Sequence, residues 1–128
     1  MIRPDYRRVL VTGSRDWTDE QAIADALLDT WHDATEDGAD GILVVHGACP
    51  KGADKLAADW AAANGIPQEA HPADWNTNGK AAGFIRNQHM VNLGADICLA
   101  FIQDGSRGAS HTAQLAEQAG IPTLRRTT

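Results

Sequence analysis

The sequence is short of the residues that define several large classes of protein. It holds two cysteines, Cys49 and Cys98, in 128 residues. A disulfide framework or a Cys–His metal site needs more ligands at regular spacing than that, so no metal is expected. Lysine and arginine number 11 against 17 acidic residues, a formal net charge of −6. Binding to a phosphate backbone depends on clustered cations, and the balance argues against nucleic acid as a partner. No apolar run approaches the length of a membrane span, and no secretory signal or lipidation motif is visible. A cytoplasmic protein with reduced thiols is expected, Cys98 being buried within "DICLAFI". The dinucleotide fingerprint G-x-G-x-x-G is absent as well. Gly47 and Gly52 have the G-x-x-x-x-G spacing of a phosphate loop, but Ala53 and Asp54 stand where an NTPase needs its lysine and hydroxyl.

What is present is the composition of a globular chain, 43% hydrophobic and 22% charged. Residues 1–128 are expected to form a single domain, burying roughly two-thirds of the unfolded surface. Two periods alternate along it. "RVLVTG" (8–13), "ILVVHG" (42–47) and "ADICLAFI" (95–102) are short apolar runs rich in branched residues, the pattern of strands buried on both faces. "PQEAHP" (67–72) and "PTLRRT" (122–127) are weaker strands, placed at the edges. Helical stripes lie between them. The first helix starts from a capping box of Thr18 and Gln21 and buries Ile23, Leu27, Trp31 and Ala34. Ala53, Leu56, Ala57, Trp60 and Ala61 form the second stripe, ended by Asn64-Gly65. A third helix runs from Ala82 to Leu93 and a fourth from about Gly108 to Gly120.

Five strands and four helices therefore alternate along the chain. The fold class that follows is α/β: an open, doubly wound parallel sheet of about five strands, in the order 3-2-1-4-5, with helices on both faces. Ligands of such sheets bind beyond the carboxyl ends of the strands, where the strand order switches, here between the first strand and the fourth.

Four polar loops converge on that rim. "TGSRDW" (12–17) offers backbone amides near Gly13 and Ser14 to an anion, with Arg15 above it, or else a plain tight turn. In "HGACPKGAD" (46–54), Asp54 either caps a helix or accepts a ribose hydroxyl. The third loop is "PADWNTNGKAAGFIRN" (72–87). The fourth, "QDGSRGASHT" (103–112), is the strongest phosphate cradle. Gly105 and Gly108 admit a ligand to the backbone, the following helix points its amides at the gap, and Ser106, Arg107, Ser110 and Thr112 can donate hydrogen bonds. His111 is a candidate acid–base group or a structural contact. Among four tryptophans, Trp31 and Trp60 belong to the core. Trp17 and Trp75 lie in rim loops, where an indole either stacks on a base or roofs the core; Trp75 is favoured as a ligand contact.

In order along the chain, "GSRDW", "GACPKGADKLAADWA", "HPADWNTNGKAAGFIRNQHM" and "GSRGASHTAQLAEQAGIP" resemble the YspA-type, cpYpsA-related branch of the SLOG superfamily, the DUF2493 group. The likeness runs from about Val9 to Pro122. It implies a Rossmann-like sheet that binds nucleotides or nucleotide-derived ligands through a glycine-rich loop. It also implies binding roles for Gly13, Ser14 and Arg15, for Gly52 and Asp54, for Arg86 and Asn87, and for Gly105 to Thr112. The related LOG enzymes cleave nucleoside monophosphates to base and ribose 5-phosphate, pairing a helical arginine with a glutamate after a P-G-G-x-G-T loop. Arg86 supplies the arginine. Thr112 falls at the glutamate, and a threonine cannot serve as a carboxylate base. Asp16, Asp54 or Asp104 can replace it only if the fold brings one within reach.

The leading expectation is a module binding a nucleotide or a derivative containing ribose phosphate. The alternative is a glycosidic hydrolase with Arg86 and Asp54 as catalytic residues; single-stranded DNA binding ranks third. In the binding reading Arg86 neutralises phosphate, Asp54 or Asn87 takes ribose hydroxyls and Trp75 packs on the base. No cofactor is implied. A homo-oligomer through Trp31 or the weak edge strands is compatible with the sequence but not required by it.

Overall fold

A computed structural model describes residues 4–127. In chain order the elements are β1 (Tyr6–Gly13), α1 (Glu20–Glu36), β2 (Gly41–His46), α2 (Ala53–Ala63), β3 (Gln68–Ala70), α3 (Trp75–Asn78), a 3-10 turn (Gly79–Ala81), α4 (Ala82–Leu93), β4 (Ile97–Ile102), α5 (Arg107–Gln118) and β5 (Thr123–Thr127). The sheet is parallel throughout, ordered β3-β2-β1-β4-β5. Both the Rossmann-like fold class and the strand order agree with the pattern of the sequence.

Alternation along the inner strands sorts their side chains onto two faces. Val9 and Val11 of β1 join Val44, Leu99 and Phe101 under α1 and α2, packing on Ile23, Leu27 and Ala57. Leu10, Val45 and Cys98 turn the other way, onto Met90 and Val91 of α4 and Ala116 of α5. Each fully buried branched side chain contributes roughly 1.5–3 kcal/mol relative to exposure. Trp31 and Trp60 are partly buried against the first of these clusters. Small residues on α2 bring that helix close to β1. Ala53, Ala57 and Ala61 are completely buried, and a Cβ on Gly13 would lie 2.2 Å from that of Ala53.

Two local expectations need correction. Asp19, not Thr18, caps α1, its carboxylate accepting from the Ala22 amide at 3.0 Å. Gln21 bonds Asp25 at 2.7 Å instead of closing a capping box. The third loop is not bare either. Asp74 caps the short helix α3, which leads through the 3-10 turn into α4. The edges differ in how they are held. β3 spans three residues, and Glu69 on it takes a two-pronged bond from Arg8 of β1 at 2.8 and 3.2 Å. That pairing, with a further bond to His71, holds the Glu69 carboxyl down at about 2.

Candidate functional site

The loops after β1, β2 and β4 and the α3–α4 segment enclose a cavity of about 500 Å³ at the carboxyl ends of the strands. That volume lies within the roughly 300–1,000 Å³ of small-molecule sites. The position is the one the strand order dictates, because β1 has β2 on one side and β4 on the other.

Ser14 holds the two central loops together. Its amide donates to the Phe101 carbonyl at 2.9 Å, and its hydroxyl accepts from the Gln103 amide at 2.7 Å. The Ser14 amide is therefore spent on the fold and does not face an anion, contrary to one expectation for this turn. Arg15, beyond it, is exposed on the cavity wall. Gly52 holds the loop after β2 against the same turn. Its backbone is at φ +77° and ψ −150°, and a Cβ there would lie 2.3 Å from the Ser14 carbonyl oxygen. The first amide of α2, on Ala53, donates to that carbonyl at 3.2 Å. Gly52 is thus a spacing residue outside the cavity lining.

Asp54 and Arg86 meet across Gly47. A Cβ on Gly47 would lie 2.5 Å from Arg86 Nη1 and 3.0 Å from Asp54 Oδ2. Asp54 is 7% exposed, and its carboxylate accepts the Cys49 amide at 3.3 Å. Burial pushes that carboxyl above its ordinary value, against the lowering effects of the Cys49 amide, His46 and Arg86. Arg86 donates from Nη1 to the carbonyls of Gly47 and His71 and from Nε to Asn87 Oδ1 at 2.8 Å. Burial lowers its guanidinium, Asp54 opposes that shift and the nearby Arg15 adds to it. His46 completes this end of β2. Nδ1 accepts the Ala48 amide at 3.0 Å, so Nε2 is the protonated nitrogen in its 2.8 Å bond to Gln68 Oε1.

The fourth loop differs most from its expected form. Asp104 and Gly105 take left-handed backbone angles, and α5 starts after Ser106. The hydroxyl of Ser106 caps nothing, and the Arg107, Gly108 and Ala109 amides have no partner among the described residues. Asp19 and Asp74 cap α1 and α3, while α2 and α4 also lack a side-chain cap, the first amide of α2 being taken by the Ser14 carbonyl. Ser106, Gly108 and Ala109 line the cavity. Gly105, Arg107 and Ser110 do not, and Arg107 is exposed away from it. Thr112 is fully buried and donates back to the Gly108 carbonyl at 3.2 Å. It therefore offers nothing to a ligand. His111 lies outside the lining too, its ring edge-on to Phe84 at 4.7 Å.

The two rim tryptophans part company. Trp17 is 5% exposed, packs edge-on against Phe101 at 5.5 Å and bonds the Asp19 carbonyl, which makes it core. Trp75 is 51% exposed and faces the cavity beside Phe84. The cavity thus gathers Gly13, Ser14, Arg15, Asp54, Trp75, Arg86, Asn87, Ser106 and Gly108 of the expected residues. Asp16 and Asp104, considered as replacements for the missing carboxylate, lie there too, and the cavity adds Cys49, Lys80, Phe84 and Gln103. The sequence signal for these additions was adjacency: each lies inside a quoted loop or beside a chosen residue. No group of three or more His, Cys, Asp or Glu among the described residues is arranged to hold a metal ion. None of the described helices is long and apolar enough to cross a membrane.

Comparison with known proteins places the family and agrees with the fold. The chain is 44% identical over 123 residues to the Gene 61 protein of Mycobacterium phage D29, covering 92% of this chain and 94% of that one. Its fold is similar to that of the Moco carrier protein from Chlamydomonas reinhardtii. The TM-score is 0.60 at 14% identity, over 96% of this chain and 78% of that one, a likeness of fold alone. A family model for the YspA, cpYpsA-related SLOG family matches residues 7–77, which span β1 to the start of α3. With more than half of its length so matched, the chain belongs to the YspA, cpYpsA-related SLOG family.

Proposed function

We propose that the protein binds a nucleotide or nucleotide derivative carrying ribose phosphate in the rim cavity. The observation that carries this reading is the bare start of α5, whose unpartnered amides and free Ser106 hydroxyl border a cavity ringed by Arg15, Lys80 and Arg86. A helix start of this kind is suited to an anion, and the surrounding cations favour the same charge in an otherwise acidic chain. Trp75 and Phe84 both line the cavity and offer aromatic surface to a base. Strain points to the same rim. Ala48 and Asp104 are the non-glycine residues with positive φ among those described, and both lie in these loops. The Moco carrier protein, by its name, carries its ligand, which suits a binding module.

The test is a panel of nucleoside mono- and diphosphates, ADP-ribose and NAD, followed by proton NMR and thermal melting. A ligand at a hundredfold excess over Kd raises stability by about 2.7 kcal/mol. Broadened ligand signals without new peaks are expected. A protein that neither broadens nor is stabilised by any member of the panel refutes the reading.

One observation favours a second reading, hydrolysis of an N-glycosidic bond. Asp16, Asp54 and Asp104 all line the cavity that holds Arg86, and burial raises the Asp54 carboxyl toward the range of a general acid. Loss of the ligand's anomeric signal with growth of free base would establish it. Asp54→Asn keeps an acceptor for the Cys49 amide and removes the ionisable group, so turnover is expected to cease with the fold intact. Turnover that survives the change eliminates Asp54.

A further inference from the structure

We infer that Arg86 is a positioning residue, and that Asn87, which it orients, is the hydrogen-bond donor that selects the ligand at the floor of the cavity. The inference rests on the ligand-binding reading of that cavity. Arg86 spends Nη1 on the Gly47 and His71 carbonyls, which ties the middle of α4 to the ends of β2 and β3, and spends Nε on its neighbour Asn87. With Nε and Nη1 held on three protein oxygens, only Nη2 is left for a ligand, so the guanidinium cannot give a phosphate its two-pronged grip. Arg15 and Lys80 are exposed on the cavity wall and make no ion pair among the described residues, so they are the cations available to a phosphate.

Asn87 is the opposite case. It is 6% exposed, lines the cavity, and accepts Arg86 Nε–H through Oδ1. Its Nδ2 has no partner among the described residues. The amide cannot turn over, because that would set its NH2 against the guanidinium. Arg86 thus fixes which end of Asn87 meets the ligand, and that end only donates. Nδ2 is open to the cavity in the empty protein. A ligand that covers it without pairing it leaves a buried donor unpaired, which is unfavourable, so the site discriminates in favour of a ligand presenting an acceptor there, a carbonyl or phosphoryl oxygen. Ribose hydroxyls, which can turn to accept, satisfy it less selectively.

The test combines two variants with NMR of the nitrogen-15-labelled protein, using AMP and ADP-ribose as probes. Asn87→Asp keeps an oxygen for Arg86 Nε and replaces the two donated hydrogens by a carboxylate oxygen. It is expected to remain folded and to bind the better probe about a hundredfold more weakly. Arg86→Lys keeps a charge and a donor for the Gly47 carbonyl but has no Nε–H. It is expected to shift the Asn87 side-chain amide signals even without ligand. Added to Asn87→Asp, it should weaken binding by less than about threefold more, the non-additivity of residues that act as a unit. Wild-type affinity in Asn87→Asp overturns the inference. So does an Arg86→Lys variant that loses affinity while the Asn87 signals stay in place, since Arg86 would then contact the ligand itself. If neither probe binds the wild-type protein, the nucleotide reading fails. The selection of a ligand by Asn87 falls with it, and the ligand-free spectra decide the positioning role alone: Asn87 signals that move in Arg86→Lys support it, and signals that do not refute it.

Discussion

Replacing Gly52 by alanine tests whether this glycine serves the ligand or the packing of loops. Its φ of +77° with ψ of −150° lies in a region that essentially only glycine occupies, so a side chain there costs about 2 kcal/mol in backbone strain. The added Cβ would also stand 2.3 Å from the Ser14 carbonyl oxygen and 2.5 Å from Arg15 Cα. Both are main-chain atoms of the neighbouring loop and cannot swing aside. Separating the loops adds roughly 1–3 kcal/mol. The stiffer unfolded chain returns about 0.4–1 kcal/mol. The net loss is about 3 kcal/mol, which for a domain of this size lowers the melting temperature by about 10 °C. Thermal unfolding followed by circular dichroism reads this directly. Gly108→Ala is the control, because its Cβ would enter open space within the first turn of α5. It is expected to stabilise the empty protein by roughly 0.5–1 kcal/mol. It should also weaken phosphate ligands if they lie on that turn. A Gly52→Ala protein that melts as the parent does, with unchanged ligand binding, refutes the reasoning.

Other perturbations have clear signs. Trp75→Ala removes a half-exposed ring, so its melting temperature should hold while nucleotide affinity falls about tenfold to a hundredfold, from roughly 1–3 kcal/mol of stacking; unchanged affinity in a titration removes Trp75 from the site. Glu69 is held from its ordinary 4.5 down to about 2, first by Arg8 and then by His71. Its contribution is complete above pH 4.5 and fades as the pH falls toward 2. Glu69→Gln should flatten the acid limb of the stability curve over that window, and an unaltered limb counts against the Arg8–Glu69 pair. Burial has the reverse effect on Asp54, whose charge is unfavourable in the fold, so Asp54→Asn should melt no lower than the parent at neutral pH. Cys98 is buried and pushed up to about 12, whereas Cys49 is partly exposed in the cavity lining. A thiol reagent should modify Cys49 alone in the native protein, and a bound nucleotide should slow it; mass spectrometry of the labelled chain shows which cysteine reacts.

Much of the fold was legible because the inner strands are buried on both faces and so read as unbroken apolar runs. Gly94 and the apolar spacing likewise marked both ends of α4. The start of α1 was harder, since Thr18 and Asp19 are both good caps and only the three-dimensional path of the chain chooses between them. Thr112 could have been read better. Ala109, Thr112, Ala113 and Ala116 share one helical face, and all four are buried. A hydroxyl on that stripe satisfies itself on its own helix. The partners of Arg86 left no trace in the sequence, because two of them are backbone carbonyls, which every residue has. Trp17 and Trp75 both follow a strand in the sequence. Yet Trp17 packs on Phe101 and bonds the Asp19 carbonyl, while Trp75 opens the short helix α3, which the sequence pattern did not resolve.

The bare start of α5 also bears on how long the empty protein survives. A good cap is worth about 1 kcal/mol, and this helix forgoes it on the wall of the cavity. Any anion that seats on those amides returns that stability. A difference of about 1–2 kcal/mol in folding is enough to alter abundance in a cell several-fold, through the fraction of chains open to proteolysis. The amount of this protein would then follow the supply of its ligand. Its turnover could report on the ligand before any assay of the purified protein identifies it.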